Sequence, residues 1–323
     1  MNANMGISKA DVTFVDTSAR DGLAAIGGVS TSNKVSLINS LVQAGLKHID
    51  CVAFTHPRLI PKHSDAEKVI AAIKKKRDVT YIGLVPNEIG CRRAIITGID
   101  QVLTLVGASD AYNMFALGRS RKETLNKTLP AIIEATSNSG KTIRNYILTA
   151  FGCPYTGKVS FEDVVQIILK LNFMGVHEIS LVDSAGMANP KSVKELVRII
   201  FDLKLNIPLA VHFHNNRGTA MANCIAAYES GVRIFDTSLG GLSGTPFGSI
   251  DQDIGNWNLP TEDLVHIFEE MGIKTAINLE LLLEAVKFAE RIAGRPLPGH
   301  ILRARPSLSK LFAVPDQSVN MAS

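Results

Sequence analysis

Residues 178–214 read EISLVDSAGMANPKSVKELVRIIFDLKLNIPLAVHFH. Glu178–Val182 is a short apolar run, the pattern of a strand buried on both faces. Lys191–Phe201 then places Val193, Leu196, Val197 and Ile200 at helical spacing. Pro208–His212 returns to a strand. Strand, helix and strand in close succession make one parallel β/α unit.

The same alternation extends in both directions. Strands are expected at Val12–Asp16, His48–Ala53, Thr80–Leu84, Gln101–Val106 and Thr142–Thr149 before this stretch, and at Arg233–Thr237 after it. Helices are expected at Asn33–Ala44, Asp65–Lys76, Glu88–Ile96, Arg121–Ser137, Phe161–Phe173, Ala220–Ser230 and Glu262–Met271. Strict alternation of this length predicts an α/β fold, a (β/α)8 TIM barrel with a C-terminal helical extension. The competing architecture is an open doubly wound sheet. It would carry a GxGxxG turn after an early strand, and Gly27-Gly28 does not form one. We expect one barrel domain over residues 1–323, with a core of about 11–275 and an extension at 276–323. Asn278–Ile292 reads as a helix, and the Pro- and Gly-rich tail from Gly294 reads as loosely packed.

Composition narrows the function. The chain has 323 residues, 46% of them hydrophobic and 20% charged, which suits a large buried core and argues against disorder. The net charge of +4 is mild. The densest basic run, Lys74-Lys75-Lys76-Arg77, is expected at a helix end, where cations complement the dipole. No nucleic-acid partner is therefore expected. The start has no apolar signal segment and no stretch is long enough to span a membrane, so a cytoplasmic protein with no membrane contact is expected. Cys51, Cys91, Cys153 and Cys224 are scattered without a CxxC pair, which favours reduced thiols over a zinc site.

In a barrel of this kind, chemistry sits at the C-terminal ends of the strands. The sharpest signal there is His212-Phe213-His214. Alternate residues on a strand point the same way, so the two imidazoles can face one metal ion. Asp21 is the best carboxylate on the same rim. Nitrogen and oxygen donors without a thiolate favour Mg²⁺ or Mn²⁺. Arg20 offers fixed donors to a carbonyl or enolate oxygen. Asp16, Asp50 and Asp183 either orient ligands and substrate or bond to Arg and backbone N–H as structural acids. The glycine-rich loop 240–248 is either a closing lid or a plain connection.

These residues fall into ordered motifs. Arg20-Asp21-Gly22-Leu23, Phe54-Thr55-His56-Pro57-Arg58, Gly152-Cys153-Pro154-Tyr155 with Gly157-Lys158 and Ser160, Asp183-Ser184-Ala185-Gly186, His212-Phe213-His214 and Asn258-Leu259-Pro260-Thr261-Glu262-Asp263 run from about Val12 to about Phe288. Together they resemble the hydroxymethylglutaryl-CoA lyases, within the metal-dependent barrel lyases and Claisen-type synthases. The resemblance implies Asp21, His212, His214 and Asn258 as metal ligands, with Asn256 as the competing register for the last. It implies Arg20 as the group that stabilises an enolate oxygen and His212 as a candidate in proton transfer. Asp50, Asp183 and Glu262 would shape the site. The loop Ala108-Ser109-Asp110 departs from the family in lacking its usual basic pair close by; Ser109, with Arg119, Arg121 and Lys122 farther along, would meet the acyl-CoA substrate, the cations taking its phosphates.

The implied reaction is metal-dependent retro-Claisen cleavage of a 3-hydroxy-3-methylglutaryl-CoA-like thioester to acetyl-CoA and an oxo acid. A related lyase for a citramalyl-CoA-like substrate, a condensing enzyme of the same barrel group and an inactive metal-binding homologue are the alternatives. A homodimer or higher homo-oligomer is expected from the resemblance. Thr245 stands where the family carries its lid-loop cysteine, and Ala24 stands where it carries a glutamine. Thr245 is thus the expected, and chemically weaker, proton-transfer residue.

Overall fold

The computed structural model describes residues 10–58, 60–243 and 257–304. Eight parallel strands close into one barrel: β1 Thr13–Asp16, β2 His48–Ala53, β3 Thr80–Leu84, β4 Gln101–Gly107, β5 Thr142–Leu148, β6 Glu178–Asp183, β7 Leu209–Phe213 and β8 Ile234–Thr237. Each strand pairs with its successor, and β8 returns to β1 with Val15 opposite Asp236. The (β/α)8 fold expected from the alternation is therefore the observed one. Helices wrap the outside. Phe161–Phe173, for example, buries Val164, Val165, Ile168 and Leu171 against the barrel, and Ser160 caps its start. Among the described residues no helix is long and apolar enough to cross a membrane.

Local chemistry explains where the elements depart from the expected spans. β5 stops one residue early because Thr149 has a φ of 56°, a left-handed conformation that a strand cannot continue. The helix expected at Arg121–Ser137 is broken. A π-helical turn, Thr124–Thr128, precedes its main part, Leu129–Thr136. Pro130 has no N–H to offer Asn126, and its ring crowds that carbonyl, so the turn widens ahead of it. The helix expected at Asp65–Lys76 ends at Ala72, because Ile73 is extended. The basic run Lys74–Arg77 is thus exposed beyond the helix rather than at its end. One further helix, Asp110–Leu117, follows β4. Ser109 caps it, and Gly118 ends it with a φ of 66°.

The extension helix, Leu279–Ala293, packs on Thr31–Ala44, and Asn278 N–H donates to the Ala44 carbonyl at 2.8 Å. The tail beyond it is better anchored than its composition suggests. Leu297 and Ile301 are buried, and the Asp263 carboxylate accepts the N–H groups of His300 and Ile301 at 2.9 Å each. Residues 305–323, the rest of that tail, lie outside the described residues.

Candidate active site

The turn after β1 is sewn to the turn after β8. Asp16 accepts Ser18 N–H at 2.9 Å, and Ser18 Oγ accepts Leu239 N–H at 2.6 Å. Thr17 Oγ1 donates to the Thr237 carbonyl at 3.0 Å. Gly22 is required at the closest approach, since a Cβ there would lie 2.8 Å from Leu242 Cβ. This stitching fixes Arg20 and Asp21 at the barrel mouth.

Arg20 uses its guanidinium on two acids. Nε lies 2.7 Å and Nη2 2.6 Å from Asp50 Oδ2, and Nη1 lies 3.1 Å from Asp21 Oδ1. Asp21 Oδ2 in turn accepts Asn258 Nδ2 at 2.8 Å, and Asn258 Oδ1 stands 2.9 Å from His212 Nε2. The His212 and His214 rings lie 5.1 Å apart. One continuous chain thus joins Asp50, Arg20, Asp21, Asn258 and His212. Burial alone would lift the Asp21 pKa, but Arg20 and the two histidines outweigh it and hold the carboxyl below its ordinary value. Asp50 shows the opposite balance, with burial raising it despite Arg20.

Asn258 arrives by a backbone device. The segment Trp257–Pro260 threads between the loops after β7 and β8. His214 and Asn258 form an antiparallel bridge, Ser238 and Pro260 a parallel one. Asn215 N–H donates to the Trp257 carbonyl at 2.6 Å, and Asn258 N–H to that of Gly241 at 2.9 Å. Asn256, the competing register, lies outside the described residues, as does Thr245.

Behind His212 stands a second buried group. Asp236 Oδ2 lies 3.4 Å from His212 Nδ1 and accepts Ser180 Oγ at 3.1 Å. Arg144 Nη2 binds Asp236 Oδ1 at 2.5 Å, and Arg144 Nε lies 2.6 Å from Glu178. Burial opposes ionisation of Asp236, but Arg144 and His212 win and push its pKa down to about 2. His212 thus has Asn258 Oδ1 within hydrogen-bond reach of Nε2, while the Asp236 carboxylate lies 3.4 Å from Nδ1 without hydrogen bonding to it. Turning the Asn258 amide over would set its oxygen against Asp21 and the Leu242 carbonyl, which its Nδ2 now meets at 2.8 Å each.

Among the described residues, no three His, Cys, Asp or Glu groups are already gathered around one point. Here the amide of Asn258 stands between Asp21 and His212. The donor set still fits a divalent cation. It offers a carboxylate oxygen, an amide oxygen and two imidazole nitrogens, with a carboxylate behind one imidazole.

Arg20, Asp21, His212 and His214 share a cavity of about 500 Å³, whose other walls are largely apolar, with Leu105 and Val182 among them. The remaining expected site residues fall elsewhere. Asp183 takes the N–H groups of Met187 and Ala188 at 2.7 and 3.0 Å and so holds its own turn. Burial lifts its pKa to about 6. Ser109 caps a helix. Arg119 gives its donors to Leu117, Pro86 and Thr128. Arg121 binds the Ala108 carbonyl, and Lys122 is exposed. None of these four lines the cavity. The cationic side chains at its rim are instead Lys62 and, when protonated, His63. Burial and nearby Arg20 and Lys34 press the His63 pKa down to about 4.

Glu262 lies beneath the loop after β8 rather than in the cavity. Its Oε2 accepts Gly240 N–H at 3.0 Å. Gly240 and Gly241, with φ of 58° and 78°, make the left-handed turn above it. Burial raises the Glu262 pKa from 4.5 to about 8, against the pull of Gly240 N–H. A folded value above the unfolded one means that this stability is complete below about pH 4.5 and lost as pH rises through about 8. Glu262→Gln cannot ionise. Relative to the wild type it is expected to gain roughly 2–3 kcal/mol between about pH 5.5 and pH 8.5. Urea unfolding at the two pH values measures this, and parallel curves for both proteins would refute it.

Tyr146, Arg144, Lys62 and His63 were not singled out in the sequence. Arg144 and Tyr146 sit two residues apart on β5 and so share a face, which is the one signal that marks them as a pair.

A family profile described as HMGL-like matches residues 11–288. The chain is 36% identical to a Bacillus subtilis hydroxymethylglutaryl-CoA lyase over 293 residues, 90% of this chain and 96% of that protein. It is 34% identical to an (R)-citramalyl-CoA lyase of Chloroflexus aurantiacus over 306 residues, 91% of this chain and 95% of that one. Among solved structures, the Acinetobacter baumannii HMG-CoA lyase in complex with coenzyme A and 3-methylmalate superposes with a TM-score of 0.84 at 33% identity, covering 92% of this chain and 96% of that one.

Proposed function

Because the chain belongs to the HMGL-like family of hydroxymethylglutaryl-CoA lyases, we propose that this acyl-CoA lyase cleaves a 3-hydroxy-3-methylglutaryl-CoA-like thioester to acetyl-CoA and acetoacetate with the help of Mg²⁺ or Mn²⁺. The observation that carries the reading is the unbroken chain from Asp50 through Arg20, Asp21 and Asn258 to His212, of which Arg20, Asp21 and His212 line the cavity. It puts a cationic hydrogen-bond donor beside a set of metal-type donors.

Asp21, His212, His214 and Asn258 are the residues that would hold the cation. When bound there, it would supply Lewis-acid polarisation of the substrate's tertiary hydroxyl. In the reaction, the C3 hydroxyl loses its proton and C3–O becomes a ketone as the C2–C3 bond breaks. The bonding pair passes to the thioester as an enolate, whose C2 then takes up a proton. Arg20 would donate to the growing enolate oxygen, and Asp50, bonded to its guanidinium, would hold that plane in position. Asp236 keeps the His212 ring oriented from the far side. The apolar wall excludes water from the enolate.

A citramalyl-CoA-like substrate is the second reading, favoured by the 34% identity to the Chloroflexus aurantiacus lyase. A panel of 3-hydroxyacyl-CoA thioesters, incubated with the metal-loaded enzyme and followed by release of acetyl-CoA, separates the two. Highest kcat/KM on hydroxymethylglutaryl-CoA supports the first. Turnover of citramalyl-CoA alone supports the second, and no product from any thioester sinks both.

A further inference from the structure

Tyr146 sits in the middle of β5 with 3% of its surface exposed. Its hydroxyl is shut off from solvent and has no hydrogen-bond partner among the described residues. Buried hydroxyls are almost always bonded, so an exception at a site wall needs a reason. Loose packing is not the reason. The ring stands edge-on to His212 with centroids 5.5 Å apart, and the Arg144 guanidinium lies 5.2 Å from its centre. Tyr146 lines the same cavity as Arg20, Asp21, His212 and His214. The ring is clamped, and its one polar atom is unused by the fold.

We propose that the Tyr146 hydroxyl is a catalytic hydrogen-bond donor to the reacting thioester, sharing the enolate oxygen with Arg20. The inference rests on the lyase reading above. As the C2–C3 bond breaks, its electron pair moves to the thioester oxygen, and the charge there grows. A donor fixed beforehand at that place binds the enolate better than the ground-state carbonyl, and so lowers the barrier. The phenol keeps its proton throughout. The proton that C2 acquires comes from elsewhere, so Tyr146 returns unchanged to the next turnover. Both donors are held by the barrel: Arg20 by Asp50, and Tyr146 by its packing against His212 and Arg144.

Tyr146→Phe in the full-length, Mg²⁺-loaded enzyme tests this with hydroxymethylglutaryl-CoA. We expect kcat to fall by roughly 10²-fold with KM changed less than about threefold, the mark of an interaction made mainly in the transition state. Exchange of solvent deuterium into the methyl group of acetyl-CoA, which passes through the same enolate, is expected to slow in parallel. Metal content and Tm should be unchanged or the Tm slightly raised, because a buried unpaired hydroxyl is removed. Unchanged kcat and exchange would overturn the proposal. So would a kcat loss accompanied by lost metal or lowered Tm, which marks a structural role. If the wild type releases no acetyl-CoA from any thioester, the lyase reading falls and this proposal with it. If the wild type turns over and the Phe variant equals it, only this proposal falls.

Discussion

His214→Ala is expected to lose bound metal and activity together, with kcat down by at least about 10³-fold. His214 is buried at the cavity wall, its ring 5.1 Å from that of His212. What holds Asn258 beside it is a backbone bridge, which an alanine leaves intact. The variant should therefore fold, keep the Asp21–Asn258–His212 chain and lack one imidazole donor. Metal analysis of the purified variant by atomic emission, alongside its kinetics, checks this. Full metal content in His214→Ala would refute the ligand assignment.

Arg20→Gln is expected to cost about 10³-fold in kcat, at the upper end for a lost oxyanion donor. Two effects add. The positive charge facing the enolate disappears. Asp50, wholly buried and already raised in pKa by burial, also loses its cationic hydrogen-bond partner, Arg20, the only one among the described residues. Breaking a buried pair from one side typically costs about 3–5 kcal/mol, which Asp50 can reduce by taking a proton. Arg20→Gln should accordingly be less stable, with the loss largest at high pH, where Asp50 would have to ionise unpaired. Asp50→Asn in the same background is expected to restore stability but not turnover. A double variant that regains activity would show that Arg20 acts only as a structural partner.

The barrel was legible because its signal is repeated. Each β/α unit has the same change of hydrophobic period, so one misjudged helix end leaves the count intact. The errors fell where a single residue overrides the pattern: Thr149 at the end of β5, Pro130 inside its helix, Ile73 after Ala72. His212 and His214 were legible since two residues apart on a strand share a face. Asn258 was reachable only through the family resemblance, because it enters the site on a short bridged segment with no periodicity of its own. Tyr146, Arg144 and the Asp236 contact stayed hidden for another reason. They are interior positions of strands, and composition does not distinguish a side chain that fills a barrel from one that faces its mouth. The expected cations Arg119, Arg121 and Lys122 do not line the cavity: Arg119 bonds to Leu117 and Thr128, Arg121 bonds to the Ala108 carbonyl ahead of the helix Asp110–Leu117, and Lys122 stands in solvent.

Thioester cleavage by this chain is proposed to require a divalent cation at Asp21, His212, His214 and Asn258. Stripping the enzyme with a chelator, then adding back Mg²⁺ or Mn²⁺ stepwise while following acetyl-CoA release from hydroxymethylglutaryl-CoA, tests it most directly. The stripped enzyme is expected to show no turnover, and activity to recover fully at one cation per chain. Undiminished acetyl-CoA release from the stripped enzyme would contradict it.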